Sequence, residues 1–340
     1  MLLTERKEID IFLPTSVQES AQSILTLAAD AEETYLLPVL GRPLFNRVNE
    51  IYQDIALDDQ WMLPQNGAEA PVEQKLVRIC QEVVVYMTLA NNAGLFSVSM
   101  NDAGLNTPSA AGYEEADDKR IDRFVKDAWK KGHRAIDRLL LFLEEDATSE
   151  EPQFAELWKQ SKWFYRNNDT LFSTAVEFDR YVSIDESREW FVKLLPDIRF
   201  CQDTFLCPQV GYGLMDALIE SLSSPTQLAN EQQRVWQTAI NKLRLSLALY
   251  AENRNEKLRR KNSRAEADLS LERAKEYIRY NQVVFGEAMK GSPLYDASAM
   301  EKDAPSDTEP SDNRKEYVMN YDPEAEGNAA HSLFCFNRIF

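Results

Sequence analysis

Apolar side chains recur every three or four residues through most of the chain, which is the period of an amphipathic α-helix. Thr15 and Ser16 can cap the first such segment, and Pro38 and Gly41 interrupt it, because proline disfavours helical angles at the residue before it. The sequence therefore predicts a mainly α fold. The pattern predicts helices over 15–37, 43–55, 72–93, 116–145, 152–165, 187–206, 212–222, 227–260 and 266–288.

Small β elements are predicted where the apolar period shortens to two. Phe96, Val98 and Met100 alternate with serines before a turn, and 170–184 has room for an edge strand. Residues 296–326 hold ten acids and three bases, which is typical of a flexible linker. The terminal segment SLFCFNRIF is β-prone and could form a hairpin with 316–321, giving a C-terminal arm.

An internal repeat is the most informative feature of the sequence. ETYLLPVLGRPLFNRVNE (33–50) aligns with DTFLCPQVGYGLMDALIE (203–220) at an offset of 170, with six of 18 positions identical. Glu73-Gln74 aligns with Glu231-Gln232 at an offset of 158. Two unrelated helix breaks would be the simpler alternative. The favoured interpretation is two tandem helical units that bury matching faces about a pseudo-twofold axis.

Each predicted unit is a helix, a proline and glycine corner, a second helix and a long helix. The corner residues are Pro38, Gly41, Pro208 and Gly211. The predicted domains are an N-terminal helical repeat over 1–150, a C-terminal helical repeat over 151–290, and an acidic linker with a terminal hairpin arm over 291–340.

Composition argues against several classes of function. Fifty-six acids and 38 bases leave a net charge of −18, which disfavours a surface devoted to nucleic acid, although a local basic patch would remain compatible. His133 has no second ligand at metal spacing and is interpreted as a partly exposed helix residue. No catalytic residue, cofactor site or metal site is predicted. The absence of a signal-like or membrane-spanning segment favours a cytoplasmic protein.

One segment, NRNEKLRRKNSR, departs from the acidic character of the chain. It could contact DNA phosphates or an acidic partner, or its bases could simply stabilise the carboxyl end of a helix and stay solvated. Its six bases are Arg254, Lys257, Arg259, Arg260, Lys261 and Arg264.

The corner motif AEETYLLPVLGRPLF (31–45), followed by an amphipathic helix and a long helix, resembles the small helical head–tail connector (neck adaptor) proteins of bacteriophages. The chain as a whole, including REWFVKLLPDIRFCQDTFLCPQVG (188–211), is similar to an uncharacterised family from Bacteroidetes prophages. The resemblance implies a virion structural protein and brings no catalytic residues.

These observations predict a non-enzymatic assembly component whose partners are itself or other virion structural proteins. The 291–340 arm is expected to reach a neighbouring subunit and to add its terminal strand to a sheet edge. The alternative is a nucleic-acid-contacting regulatory protein that uses the basic patch over 254–264.

Overall fold

Helices form where the sequence carries an apolar stripe that a neighbouring helix can cover. The computed structural model confirms the mainly α fold class. The structure describes residues 1–13, 18–56, 70–96, 99–101, 104–106, 118–167, 169–223 and 230–298. The text below refers to residues 1–167 as the first half and to residues 169–298 as the second half.

The first half contains six helices and one hairpin in its described part. The hairpin pairs Ser99 with Asn106 and Asn101 with Gly104. A π-helical turn, Glu32–Leu36, joins the second and third helices. The elements are α1 (Arg6–Asp10), α2 (Gln18–Ala31), α3 (Leu37–Ile55), α4 (Val72–Phe96), β1 (Ser99–Asn101), β2 (Gly104–Asn106), α5 (Asp118–Thr148) and α6 (Ala155–Trp158).

The second half contains seven helices among its described residues. A π-helical turn, Gln202–Leu206, again follows the second of them, and a 3₁₀ turn, Gly286–Met289, follows the last. The helices are α7 (Ala175–Asp179), α8 (Arg188–Cys201), α9 (Cys207–Val210), α10 (Tyr212–Ser223), α11 (Asn230–Arg254), α12 (Ser263–Tyr280) and α13 (Gln282–Phe285).

The two halves share most of their elements in the same order, at offsets that shorten along the chain, and in the described part the hairpin and α13 have no counterpart. α1 and α7 have five residues each and start 169 positions apart, and α2 and α8 have 14 each and start 170 apart. α4 and α11 have 25 each and start 158 apart. The α6 turn and the 3₁₀ turn start 131 apart, at 155 and 286. Residues related in this way are called equivalent below.

The chain stays helical through the prolines, contrary to the prediction that Pro38 moves Leu37 out of helical angles. Leu37 has φ −57° and ψ −41°, and its N–H bonds to the carbonyl of Glu32, five residues back. An i→i−5 turn is wider than an α turn and displaces the carbonyl that a proline ring would otherwise meet. The direction of the chain changes at Gly41 and Gly211 instead.

Three other predictions differ from the structure. The predicted helix over 152–165 is limited to α6, because the turns after it fold onto the first corner. The edge strand over 170–184 is replaced by α7, whose Thr174 cap accepts a hydrogen bond from the Glu177 N–H. The helix over 227–260 ends at Arg254. The predicted C-terminal hairpin lies outside the described residues.

The halves join where α5 of the first packs against α8 of the second, a contact called the seam below. Edge-to-face aromatic pairs continue the core across it: Trp158 with Tyr165 at 5.5 Å and Tyr165 with Phe191 at 5.6 Å between ring centroids. The equivalents of α5 and α8 are α12 and α2, which do not form a corresponding packed pair in the described chain. The predicted pseudo-twofold burial of matching faces is therefore wrong. Non-matching faces meet, so the arrangement is head to tail.

Candidate functional site

Both corners use a glycine in a conformation that other residues avoid. Gly41 has φ +73° and ψ +158°, and Gly211 has φ +100° and ψ +133°. A Cβ added to Gly41 would lie 2.9 Å from the Cα of Ser161, and one added to Gly211 would lie 2.9 Å from the Cα of Ser292. Close approach of another backbone segment therefore fixes glycine at both positions.

The two serines, which are equivalent at the offset of 131, each donate a hydrogen bond to a carbonyl within the three residues before the corner glycine. Ser161 Oγ donates to the carbonyls of Pro38 and Val39, at 3.0 and 2.8 Å, and Ser292 Oγ donates to the carbonyl of Val210. Each hydroxyl also accepts an N–H two residues later, from Trp163 at 3.0 Å in the first half and from Leu294 at 3.1 Å in the second. The predicted corner residues thus belong to matching structural joints.

The start of each half is tied to the π turn by a buried side chain. The Leu2 N–H donates to Glu32 Oε1 at 2.5 Å, and the Leu171 N–H donates to Gln202 Oε1 at 3.1 Å. Burial raises the pKa of Glu32, although the Leu2 N–H and the terminal amine act in the opposite direction. Gln202 holds the same place without a charge.

The predicted basic patch lies on the end of α11, the following loop and the start of α12. Arg254 Nε is 2.6 Å from Asp197 Oδ1, and Arg264 Nε is 3.4 Å from Asp268 Oδ1. Arg260 donates to both carboxylate oxygens of Glu252, one of them at 2.9 Å from Nη2. These arginines therefore already have acidic partners within the chain.

The other three bases of the patch are more open. Lys257 Nζ lies 5.5 Å from the centroid of the Trp190 ring, a cation–π distance. Arg259 and Lys261 are exposed, and neither has a carboxylate partner among the described residues. The segment thus combines paired arginines with three bases available to a partner.

Polar contacts across the seam join α5 to the start of α8. His133 Nδ1 is 2.7 Å from Glu189 Oε2. Asp137 accepts the Ser187 hydroxyl at 3.1 Å and the Glu189 N–H at 2.9 Å. Glu144 accepts from Arg188 Nε at 3.0 Å. The amino end of α8 is thereby held on one face of α5, with acidic Asp137 at the positive end of the helix dipole.

An open cleft of about 1060 Å³ borders the seam. The first half contributes Lys130, His133, Arg134 and Asp137 to its lining. The second half contributes the amino end of α8, and the cleft also reaches Arg254 and Lys257 of the patch. The structure therefore brings two patch residues beside His133.

The carboxylates of the seam have shifted pKa values. Burial raises the pKa of Asp137, against the lowering effect of its bonds from Glu189 N–H and Ser187. Burial also opposes ionisation of Glu189, but hydrogen bonds from His133 and Lys193 outweigh it and lower the pKa of that carboxyl. Glu189 thus binds His133 of the first half and Lys193 of its own helix.

The thiols of the second half lack the features of nucleophiles. Burial raises the pKa of Cys201 to about 12 and that of Cys207 to about 11. Such thiols carry little thiolate at neutral pH, and the thiolate is the reactive form. Among the residues that the structure describes, no group of three or more His, Cys, Asp or Glu side chains is placed to hold a metal ion.

Positions equivalent to those of the seam occur on α12 and α2. The offset of 131 relates Lys130 to Lys261, His133 to Arg264 and Asp137 to Asp268. The offset of 170 relates Glu189 to Glu19. Two patch residues therefore occupy seam positions in the second half.

The sequence analysis missed this seam. His133 was interpreted only as an exposed helix residue, and its Glu189 partner lies 56 positions away. No sequence signal near either residue marks the pair. Alignment of α5 with α12 gives few identical residues. Their equivalence follows only from the turns that start at 155 and 286.

The described residues form a mainly α fold whose two halves share a π turn, a glycine corner and helices of equal length. Residues 36–163 match the model of a family of unknown function, DUF6712. The matched segment runs from the first π turn to just past Ser161, within the first half. No curated protein and no solved structure gives a match. Within the described ranges, no helix has the length and apolar character needed to cross a membrane.

Proposed function

We propose that this chain is a non-enzymatic structural component of a phage or prophage particle, similar in role to head–tail connector proteins. The observation that carries the proposal is the head-to-tail joining of two like units through α5 and α8. A unit that binds its own copy through non-matching faces is a building block, because the same contact can be repeated.

The polar groups beside the seam support a structural role. His133 and Lys193 both pair with Glu189, and Arg254 pairs with Asp197. A catalytic base or acid needs a free position within reach of substrate, whereas these groups bind one another. The buried thiols of the second half point the same way.

The corner motif supports the more particular role. Its resemblance to head–tail connectors covers 31–45, and the structure places this stretch at a π turn and a glycine joint. We place the protein in the cytoplasm, where particles assemble, with itself or other virion structural proteins as partners. The 291–340 arm would reach a neighbouring subunit and add its terminal strand to a sheet edge.

Particle composition tests this function directly. Particles released by induction of the source prophage would be purified by density gradient and analysed by quantitative mass spectrometry. The expected result is that the protein co-purifies with portal and capsid proteins at a fixed stoichiometry. Its presence in the lysate together with its absence from intact particles would overturn the proposal. A cytoplasmic enzyme of the host, followed in parallel, controls for contamination.

The exposed bases Lys257, Arg259 and Lys261 favour a second candidate, a nucleic-acid-contacting regulatory protein. It predicts DNA binding that weakens with salt, because each neutralised phosphate releases a counterion. Replacement of Arg259 and Lys261 by alanine should then lower the affinity and reduce the steepness of the salt dependence. Fluorescence anisotropy with a labelled duplex measures both. Absence of binding at low salt would remove this candidate.

A further inference from the structure

We propose that an exposed row of bases on α5 and the open bases of the patch form one surface, which binds the phosphate backbone of double-stranded DNA at the seam cleft. The assembly function does not require this surface. The inference enlarges the site of the nucleic-acid candidate, which so far consists of the patch alone, by adding a second wall from the first half.

The first argument is the distribution of bases along α5. Residues 123–134 hold five bases and one acid, Asp127, in a chain whose net charge is −18. Four of these bases recur at steps of three or four residues and therefore share one face of the helix. All four are exposed, and none has a carboxylate partner among the described residues. This face, called the α5 stripe below, consists of Arg123, Lys126, Lys130 and Arg134.

The second argument is the position of the α5 stripe beside the patch. Lys130 and Arg134 line the seam cleft from the first half, and Lys257 lines it from the second. Arg259 and Lys261 follow Lys257 in the loop before α12 and are exposed. Two basic segments that lie far apart in the chain therefore border the same cleft, which is the arrangement expected of a surface for a polyanion.

The third argument is length. The rise from Arg123 to Arg134 along the helix axis is about 17 Å. Duplex DNA carries one phosphate charge per roughly 1.7 Å of its axis, so about ten phosphates fall within that length. Lysine and arginine side chains bind phosphates without reading the bases. We therefore expect a duplex to bind along α5 and beside the patch with little dependence on its sequence.

The acids of the cleft bear on the same surface. Asp137, Glu189 and Asp197 are already bonded to donors of the protein. Asp185 and Glu256 also line the cleft, are exposed, and have no such donor among the described residues. Because these two carboxylates repel phosphate, Glu256→Gln is expected to strengthen DNA binding.

Fluorescence anisotropy with a labelled duplex of about 20 base pairs tests the surface, at roughly 50 to 200 mM salt. The α5 variant combines Lys130→Ala with Arg134→Ala. It should weaken binding at low salt by about tenfold or more and reduce the slope of log affinity against log salt by about two, because two phosphate contacts are lost. The patch variant, Arg259→Ala with Lys261→Ala, should lose a similar amount, and the two variants combined should lose more than either.

Arg273→Ala combined with Arg279→Ala is the matched control. It removes the same number of charges from exposed positions of α12 that do not line the cleft. It should leave the affinity within about twofold of the wild type, because salt screens distant charges. Circular dichroism of every variant should show the same helix content.

The outcomes separate the proposals. If the patch variant weakens binding and the α5 variant does not, the shared surface is overturned and the patch alone remains. An equal loss in the control and α5 variants would reveal a general charge effect and also overturn it. Tighter binding to a single strand of the same sequence would overturn the assignment to duplex DNA. Absence of binding at the lowest salt would remove both this surface and the nucleic-acid candidate.

The particle experiment is independent of these results. A protein that binds DNA through the α5 stripe but is absent from particles would lose the virion role and keep the surface. A protein present in particles that does not bind the duplex would keep the role and lose the surface.

Discussion

The two halves agree most closely at their glycine corners and least in how they hold their first residues. A Cβ added to Gly41 would lie 2.9 Å from the Cα of Ser161, and one added to Gly211 would lie the same 2.9 Å from the Cα of Ser292. The carbonyl of Leu2 is bound by Gln81, but that of Leu171 is bound by Arg244, which is equivalent to Tyr86. A close contact with another backbone segment tolerates only glycine. A hydrogen-bond donor, in contrast, can come from more than one position on a helix.

Gln81 and Arg244 also bind a glutamate in the first helix of their own half. Gln81 donates to Glu8 Oε1 at 3.0 Å, and Arg244 donates to Glu177 Oε1 at 2.9 Å. Glu8 and Glu177 also accept equivalent N–H bonds, from Thr4 at 2.7 Å and from Ser173 at 2.8 Å. The backbone arrangement is thus kept, while its partner differs in charge. The same substitution made at equivalent positions of the two halves can show where the halves behave alike and where they differ.

The largest effect is expected from alanine at the corners. Gly41→Ala and Gly211→Ala should each lower the free energy of unfolding by about 4 kcal/mol, because a positive φ and a backbone clash combine. Urea denaturation measures the change. Gly213→Ala is the control: a Cβ there meets nothing within 4 Å, and alanine favours helix α10. Strong destabilisation by only one of the two substitutions would show that the two corners do not need glycine for the same reason.

Removal of the helix side chain that binds the first segment of each half should lower the free energy of unfolding more in the second half than in the first. Arg244→Ala should cost about 3 kcal/mol, since it leaves the Glu177 carboxylate without its buried partner. Gln81→Ala should cost about 1 to 2 kcal/mol, because it removes neutral donors. Arg244 has a side chain only 5% exposed, so solvent cannot replace it. Equal losses in the two variants would contradict the difference in charge.

The corner serines should behave alike. Ser161→Ala and Ser292→Ala each remove a hydroxyl that donates to a corner carbonyl and accepts an N–H. A loss of about 1 to 2 kcal/mol is expected from each, measured by denaturation as above. Ser221, which only bonds the carbonyl of Leu218 in its own helix, is the control and should change stability by less than about 0.5 kcal/mol on replacement by alanine.

The smallest effect concerns Glu32 and depends on pH. Burial raises the pKa of Glu32, so the folded state binds this proton more tightly than the unfolded state, whose pKa is near 4.5. The free energy of unfolding therefore falls as pH rises from about that value through the folded-state pKa.

Glu32→Gln installs the residue found at the equivalent position 202 and should remove this fall, with Gln202→Glu introducing one in the second half. Urea denaturation between pH 4.5 and 7 measures both slopes. Identical pH profiles for the wild type and Glu32→Gln would show that the charge of this buried side chain has no influence on stability.

The sequence allowed the helical class and the corner glycines to be predicted, because periodicity and the Pro–Gly spacing are local signals. It did not allow the seam to be predicted. His133 meets Glu189 only after two units have folded, and nothing near either residue marks the pair. The π turns were also missed, since five residues of ordinary helical character form them and only the following proline hints at a wider turn.

The pseudo-twofold prediction failed for a related reason. Sequence identity showed that two units exist and carried no information on which faces meet. Packing decided it, through Tyr165 on Phe191 and Arg188 on Glu144, and these contacts join non-matching elements of the two halves.

Cysteine cross-linking across the seam tests head-to-tail joining most directly. The variant would carry His133→Cys with Glu189→Cys, with Cys335 replaced by serine. A short bismaleimide should link the two thiols within one chain, giving a monomer of altered gel mobility that neither single-cysteine variant gives, because His133 of α5 faces Glu189 of α8. Failure of this pair to link within the chain, although both thiols react with a monofunctional maleimide, would contradict the account.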